Sequence, residues 1–251
     1  MNIYSSEEIK KIRQSGRILA ETLGKLAKKA RPGVSLKTLD EMAEELIRRA
    51  GAEPAFLGYK PYGAKNGYPS SICASVNEVV VHAVPGPYKL KNGDILTIDL
   101  GVKRDGYYAD SALSLTIGKV SASAKKLLKA TKQALMDAIK QARPGKTLGD
   151  IGYAVKKRVT QNGFFVVRGL TGHGIGKDLH EDPNVLNEGQ RGQGMKLVSG
   201  MVIAIEPMTA IGTPRLIQKE DDSFATADGS LSAHFEHTIA ITKKGPEILT
   251  K

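Results

Sequence analysis

Four acidic residues sit inside strand-like apolar runs: Asp99 in ILTIDL, Asp110 in YYADSA, Glu206 in MVIAIEP and Glu236 in FEHTIAI. An ionised carboxylate taken out of water without a partner costs several kcal/mol even after relaxation. Gathering four of them near one another requires a concentrated positive charge between them. A metal centre is the economical answer. The chain has five histidines, His82, His173, His180, His234 and His237. His173 lies in TGHGIG, where glycines clear space around an imidazole, itself a common metal ligand. The phosphate-cradle alternative for these glycines is weak, because Lys177–Pro183 does not open a helix pattern.

Four carboxylates and one imidazole form an oxygen-rich donor set. It suits two divalent first-row ions of the Mn, Fe, Co or Zn type. Two such ions can activate a shared water and polarise a carbonyl, so hydrolysis of an acyl bond is the expected chemistry. A serine-nucleophile mechanism is a poor competitor, since the chain has no Gly-x-Ser-x-Gly elbow. The lone Cys73, in SICASV, has no adjacent histidine to activate it.

These residues must be positioned by strands and by what packs on them. Asp99 and Asp110 flank VKRDG, whose Asp-Gly pair is a hairpin-turn signal. A turn centred between Arg104 and Asp105 sets the two acids opposite one another. A turn at Asp105–Gly106 leaves them diagonal neighbours on one face. Glu206 precedes Pro207, which biases its backbone to extended and ends a strand there. Ala30-Arg-Pro-Gly33 recurs as Ala142-Arg-Pro-Gly145, and the same offset of 112 relates Leu36 to Leu148 and Gly51 to Gly163. In each copy a helix pattern meets a Pro-Gly break and a second helix follows. Ser5 and Glu8 make a capping-box signal for the first helix. Leu39, Met42, Ala43, Leu46 and Ile47 form an apolar stripe for the second helix. Leu128, Thr131, Leu135, Ala138 and Ile139, then Leu148, Ile151, Val155 and Val159, do the same in the later copy. The expectation is an α+β domain spanning 1–251, with an internal repeat of about 5–115 and 120–245 and the site in the central cleft.

Composition narrows the rest. The 251 residues are 41% hydrophobic and 25% charged, ordinary for a soluble globular protein. No apolar run approaches the roughly 18 residues of a membrane span, so no membrane partner is expected. One cysteine excludes an internal disulfide and fits a reducing cytoplasm. The net charge of +11 reads as a solvated basic surface or, functionally, as attraction to a polyanion such as RNA, without any motif for sequence-specific nucleic-acid binding.

The segments Ser75–Gly86 (SVNEVVVHAVPG), Leu96–Gly101 (LTIDLG), Gly172–Gly176 (GHGIG), Ile205–Met208 (IEPM) and Ser232–Thr238 (SAHFEHT) resemble type I methionine aminopeptidases. The resemblance covers essentially the whole chain. It implies the pita-bread fold, with two pseudo-symmetric halves of antiparallel sheet covered by helices. It implies removal of the initiator methionine from peptides and nascent chains whose second residue is small, by a monomeric cytoplasmic enzyme. Asp99, Asp110, His173, Glu206 and Glu236 would ligate two divalent ions (Co, Mn, Fe or Zn), with Asp110 and Glu236 bridging. Glu206 would double as the general base or proton shuttle. His82 and His180 would contact substrate and stabilise the tetrahedral intermediate. Tyr59, Tyr68, Cys73 and Phe224 would line the methionine pocket, where a thioether gains from aromatic contact. Asn77, Val79 and Ser232 would hold one Na or K ion.

Several positions depart from the family pattern: the chain has no Trp, Leu170 and Glu188 are unusual, and Lys60–Asn66 reads as an insertion beside the pocket. With neither a zinc-binding extension nor the long type II insertion, the chain resembles the short bacterial form. Two rivals stand beside this reading. A proline-specific aminopeptidase shares the metal ligands but usually carries a large N-terminal domain. A non-catalytic ribosome- or nucleic-acid-binding relative typically loses ligands. Docking of the active enzyme on the ribosome would account for the basic charge.

Overall fold

The computed structural model describes residues 2–60 and 66–251. The expected insertion at Lys60–Asn66 therefore lies, apart from its two end residues, outside the described residues.

Four helices carry the packing. Helix α1 (Ser6–Lys29) opens with the expected capping box: the Ser5 hydroxyl accepts from Glu8 N–H, and the Glu8 carboxylate accepts from Ser5 N–H. Its buried face, Ile9, Ile12, Leu19, Leu23 and Leu26, follows helical spacing. Helix α2 (Leu36–Arg49) buries Leu39, Ala43 and Ile47, while Met42 and Leu46 are half-buried at the edge of the same stripe. Helix α3 (Ala122–Ile139) is capped by Ser121, and helix α4 (Leu148–Gln161) by a second capping box, Thr147 with Asp150. Helices α2 and α4 have 14 residues each and start at Leu36 and Leu148, so the 112-residue offset holds at both ends. The chain breaks before them pass through Gly33 and Gly145 at φ +90° and +86°, a conformation open to glycine. The offset extends past the helices to two short strands, Glu53–Pro54 and Phe165–Val166.

Every strand pairing among the described residues is antiparallel. Strand Ile95–Arg104 pairs along its length with Tyr107–Thr116 and, on its other edge, with Cys73–Val76 and Glu53–Pro54. A five-stranded sheet runs Gly245–Ile248, His237–Thr242, Val202–Ile205, Gly172–Gly174, Glu181–Val185. Two smaller sheets complete the fold. Met208–Ala210 lies between Ser232–His234 and Phe165–Val166, and Phe224–Thr226 lies between Leu216–Gln218 and Val79–Val81.

Helices α1 and α2 pack one apolar core with the first sheet, including Ile12, Leu39, Ile98 and Leu100. Helices α3 and α4 pack a second core, including Leu135, Ile151, Ile203 and Ile239. Burial at roughly 25 cal/mol per Å² of apolar surface drives both. The carboxylates lie between these cores. Among the described residues no helix is long and apolar enough to cross a membrane.

Candidate metal centre

The hairpin turns at Asp105–Gly106, whose φ values of +50° and +79° are those of a type I′ turn. Register follows from that turn: Gly101 faces Asp110, and Asp99 faces Ala112. Asp99 and Asp110 are thus diagonal neighbours, the second of the two alternatives that the sequence leaves open. Buried Cys73 sits across from Asp99 on its other edge.

The second half is tied to this hairpin by buried hydrogen bonds. Asp110 N–H donates to Thr238 Oγ1 at 2.9 Å, and the Thr238 hydroxyl donates to the Asp110 carbonyl at 2.8 Å. Ser111 Oγ donates to the Glu236 carbonyl, and Glu236 N–H to the Ala112 carbonyl at 2.9 Å. Glu206 follows the strand Val202–Ile205, as Pro207 predicts, and the Asn187 amide donates to its carbonyl at 2.9 Å. The glycines around His173 serve close strand approach. A Cβ on Gly172 would strike the Ala204 carbonyl, and one on Gly174 the Asp182 carbonyl.

All five expected ligand residues are buried. One ligand atom each from Asp110, His173 and Glu236 lie within 4.8 Å of one another. His173 Nδ1 donates to the Gly174 carbonyl at 2.9 Å, which leaves Nε2 as the accepting nitrogen. That Nε2 is 3.6 Å from Glu206 Oε1 and 3.9 Å from Asp110 Oδ2. Oxygens of Asp99, Asp110 and Glu236 are buried without a hydrogen-bond partner among the described residues.

The electrostatics agree. Burial, then the charges of Asp110 and Glu206, push Asp99 well above the ordinary carboxylate range. Burial pushes Asp110 up to about 7. Burial and then Asp110 raise Glu206, and burial with Asp110, Glu206 and Asp99 raises Glu236. Burial lowers His173 to about 4, so its imidazole is neutral and able to ligate. Four carboxylates crowded into one desolvated space cannot all ionise without a cation among them. The orphaned oxygens and the free Nε2 fit divalent ions.

The cleft-facing groups are also placed. His82, at φ +64°, packs edge-on against Phe224 with ring centroids 5.8 Å apart. His180 is open to solvent on one side, yet the surrounding protein and then the neighbouring His173 and His82 push its pKa down to about 3. Tyr59 meets His180 across the cleft. The Tyr68 hydroxyl instead turns to the carbonyls of Ile72 and Ala83, while its ring packs on Phe56. The Ser232 hydroxyl lies 2.9 Å from the Asn77 carbonyl and 3.0 Å from that of Val79.

Sequence reasoning left His234 without a role. Its side chain is 1% exposed, and Nε2 lies 3.7 Å from Glu206 Oε2 and 3.9 Å from Glu236 Oε2. Its position two residues before Glu236 in an extended segment was the available signal. Thr238, two residues after Glu236, carries the same signal.

Comparison with known proteins matches residues 10–243 to the metallopeptidase family M24. The chain belongs to that metallopeptidase family. Its full-length relatives include the methionine aminopeptidase of Aquifex aeolicus, 46% identical over 100% of this chain and 99% of the relative. The methionine aminopeptidase of Clostridium acetobutylicum is 45% identical over 99% and 98%. The crystal structure of methionine aminopeptidase from Rickettsia prowazekii superposes with TM-score 0.96 at 40% identity, covering 100% of both chains. The α+β pita-bread architecture is therefore the fold. A prolidase from Pyrococcus furiosus shares that fold at TM-score 0.79 and 21% identity, but the chain spans only 65% of it.

Proposed function

We infer that this M24 member works as a methionine aminopeptidase: it hydrolyses the peptide bond after an N-terminal methionine, including the initiator residue. The observation that carries the assignment is the clustering of Asp110, His173 and Glu236 with Asp99 and Glu206 beside them, three with orphaned buried oxygens and His173 with a free nitrogen. Asp99, Asp110, His173, Glu206 and Glu236 would hold two divalent ions, with Asp110 and Glu236 serving both, Asp99 one, and His173 with Glu206 the other. Bound there, the ions would polarise the scissile carbonyl and make a shared water nucleophilic at neutral pH. Mn, Fe, Co and Zn all suit the donors.

The chain's own groups do the rest. Glu206, between the imidazoles of His173 and His234, takes the proton from the attacking water and delivers it to the departing amine. His82 and His180, both held neutral, face the substrate at the cleft and stabilise the oxyanion. Phe224, Tyr68 and Cys73 border the methionine side chain. The substrates are peptides whose second residue is small. Asn77 and Val79 carbonyls with Ser232 would hold a monovalent cation beside the strands that carry the acids.

The chain acts as a cytoplasmic monomer with one catalytic domain built from the repeat. Its basic surface docks it on the ribosome. A cleft of about 350 Å³ lined by α3, α4 and Arg191 offers Lys146, Lys157 and Arg191, while Asp137 is engaged by Arg158 and Lys140, and Asp150 by the Thr147 cap. Cosedimentation with ribosomes that weakens as salt rises supports this docking, and salt-independent binding refutes it.

The test is release of methionine from Met-Ala-Ser and Met-Lys-Ser by metal-stripped protein with Mn, Co, Fe or Zn restored. Metal-dependent release from the first peptide alone confirms the chemistry and the small-residue rule. Calorimetric titration with Mn gives an independent readout: two sites in the parent protein, and loss of the pair in Asp110→Ala.

A further inference from the structure

The cleft is bridged by one side-chain contact that the metal chemistry does not use. The Tyr59 hydroxyl lies 2.6 Å from His180 Nδ1, and the two residues are 121 positions apart. Their rings meet edge-on, with centroids 5.1 Å apart at 62°. The His180 ring also stands edge-on to His173, with centroids 4.4 Å apart, so it abuts the carboxylate centre.

Both partners of the contact are held by their backbones. Tyr59 N–H donates to the Phe56 carbonyl at 2.9 Å, and Tyr59 and Gly58 pair with Tyr68 through two bonds of 2.8 Å. His180 precedes Glu181, whose Oε1 accepts from Lys177 N–H at 2.8 Å and Asp178 N–H at 3.0 Å, and also from the Tyr4 hydroxyl. That carboxylate closes the loop that carries His180. Tyr4 further packs on Gly176, where any Cβ would strike its ring. The 2.6 Å contact is thus a fixed feature of two braced segments.

A neutral imidazole carries one N–H, and the partner of one nitrogen decides which nitrogen keeps it. A phenol is the better donor and an imine nitrogen the better acceptor. Burial, then the charge of Asp178, raises the Tyr59 pKa and keeps its proton in place. We propose that Tyr59 is a positioning residue: its hydroxyl donates to His180 Nδ1 and holds the ring as the Nε2–H tautomer, donor side toward the substrate carbonyl. The opposite tautomer would present a lone pair to the developing oxyanion and repel it. The proposal rests on the reading of His180 as a substrate contact, and it adds a role for Tyr59 distinct from lining the methionine pocket.

Three measurements test it together. In Zn-loaded protein with ¹⁵N-labelled histidine, long-range ¹H–¹⁵N spectra read the tautomer, with His180→Ala supplying the assignment. The parent shows Nε2–H at His180, and Tyr59→Phe, which keeps the ring, mixes the tautomers. In kinetics with Mn, Tyr59→Phe lowers kcat at least about threefold, with KM nearly unchanged and Mn affinity intact, a loss below that of deleting a whole oxyanion donor. In the His180→Ala background, Tyr59→Phe then has no further effect on kcat, because it acts only through that ring. An Nδ1–H signature in the parent overturns the proposal. So does a Tyr59→Phe effect confined to KM, or one that persists without His180. If His180→Ala itself leaves kcat unchanged, the substrate-contact role fails while the tautomer measurement still stands or falls by itself.

Discussion

Thr238 and Asp110 exchange two hydrogen bonds across the seam between the halves. The Thr238 hydroxyl accepts from Asp110 N–H at 2.9 Å and donates to the Asp110 carbonyl at 2.8 Å. One side chain from the second half thereby fixes the backbone of an acid from the first. Thr238→Val keeps the shape but orphans a buried donor and acceptor, at about 1–3 kcal/mol for each group left unpaired. The expected result is a lower urea midpoint and a weaker Mn affinity in calorimetry. An unchanged Mn affinity would dissociate this bond pair from the centre.

Asp110→Asn should separate binding from stability. The carboxylate is the one that raises Asp99, Glu206 and Glu236 alike, so removing its charge relieves the crowding. Metal-stripped Asp110→Asn is expected to melt no lower than the metal-stripped parent at pH 8, yet to lose Mn-dependent stabilisation in the same thermal scans. A melting point well below the parent's would show that the carboxylate is structural.

The metal-stripped protein should weaken as pH rises. Asp110 titrates near 7 in the fold against an ordinary value of 3.8. Between those values the folded state holds a proton that the unfolded chain has released, so stability present at low pH is lost as pH climbs through about 7. Asp99, Glu206 and Glu236 shift the same way. The buried histidines, kept neutral in the fold, act in the opposite sense below about 6.5, so urea midpoints in chelator should fall from pH 6.5 to pH 8, and the fall should be shallower in Asp110→Asn. Added Mn should restore the midpoint most at the higher pH.

Gly16→Ala should destabilise, against the usual helix preference of about 1 kcal/mol for alanine. Gly16 is buried in α1, and a Cβ there would strike the carbonyl of Leu249 in the C-terminal segment. The helix must move off that segment, so a drop in melting temperature is expected. Gly24→Ala, on the same helix with open space at its Cβ, is the control and should be neutral or stabilising.

Much of this was legible from local patterns. The Ser5–Glu8 capping box, the α2 and α4 stripes and the Asp-Gly turn are short-range signals, and each formed where its residues stand. The carboxylates in apolar strands announced a metal because their burial has no other economical explanation. Register was less legible, since a one-residue shift of the turn changes opposite acids into diagonal ones. His234 was overlooked, because its place two residues before Glu236 signals a shared strand face but not what else faces it. Tyr68 was expected to line the methionine pocket, and only the structure shows its hydroxyl turned to the Ile72 and Ala83 carbonyls.

The sequence by itself determined the donor chemistry, the principal helices and strands, and the hairpin that carries Asp99 and Asp110 on one face, since these depend on residue type and on periods of two or of 3.6. Only the tertiary structure decided that Glu236 and Thr238 lock onto that hairpin from about 126 residues away, that Glu206 lies between two imidazoles, and that Tyr59 reaches His180. The physical reason is that such contacts arise from packing two separate cores against one seam, and no local interaction encodes the distance between residues so far apart in the chain.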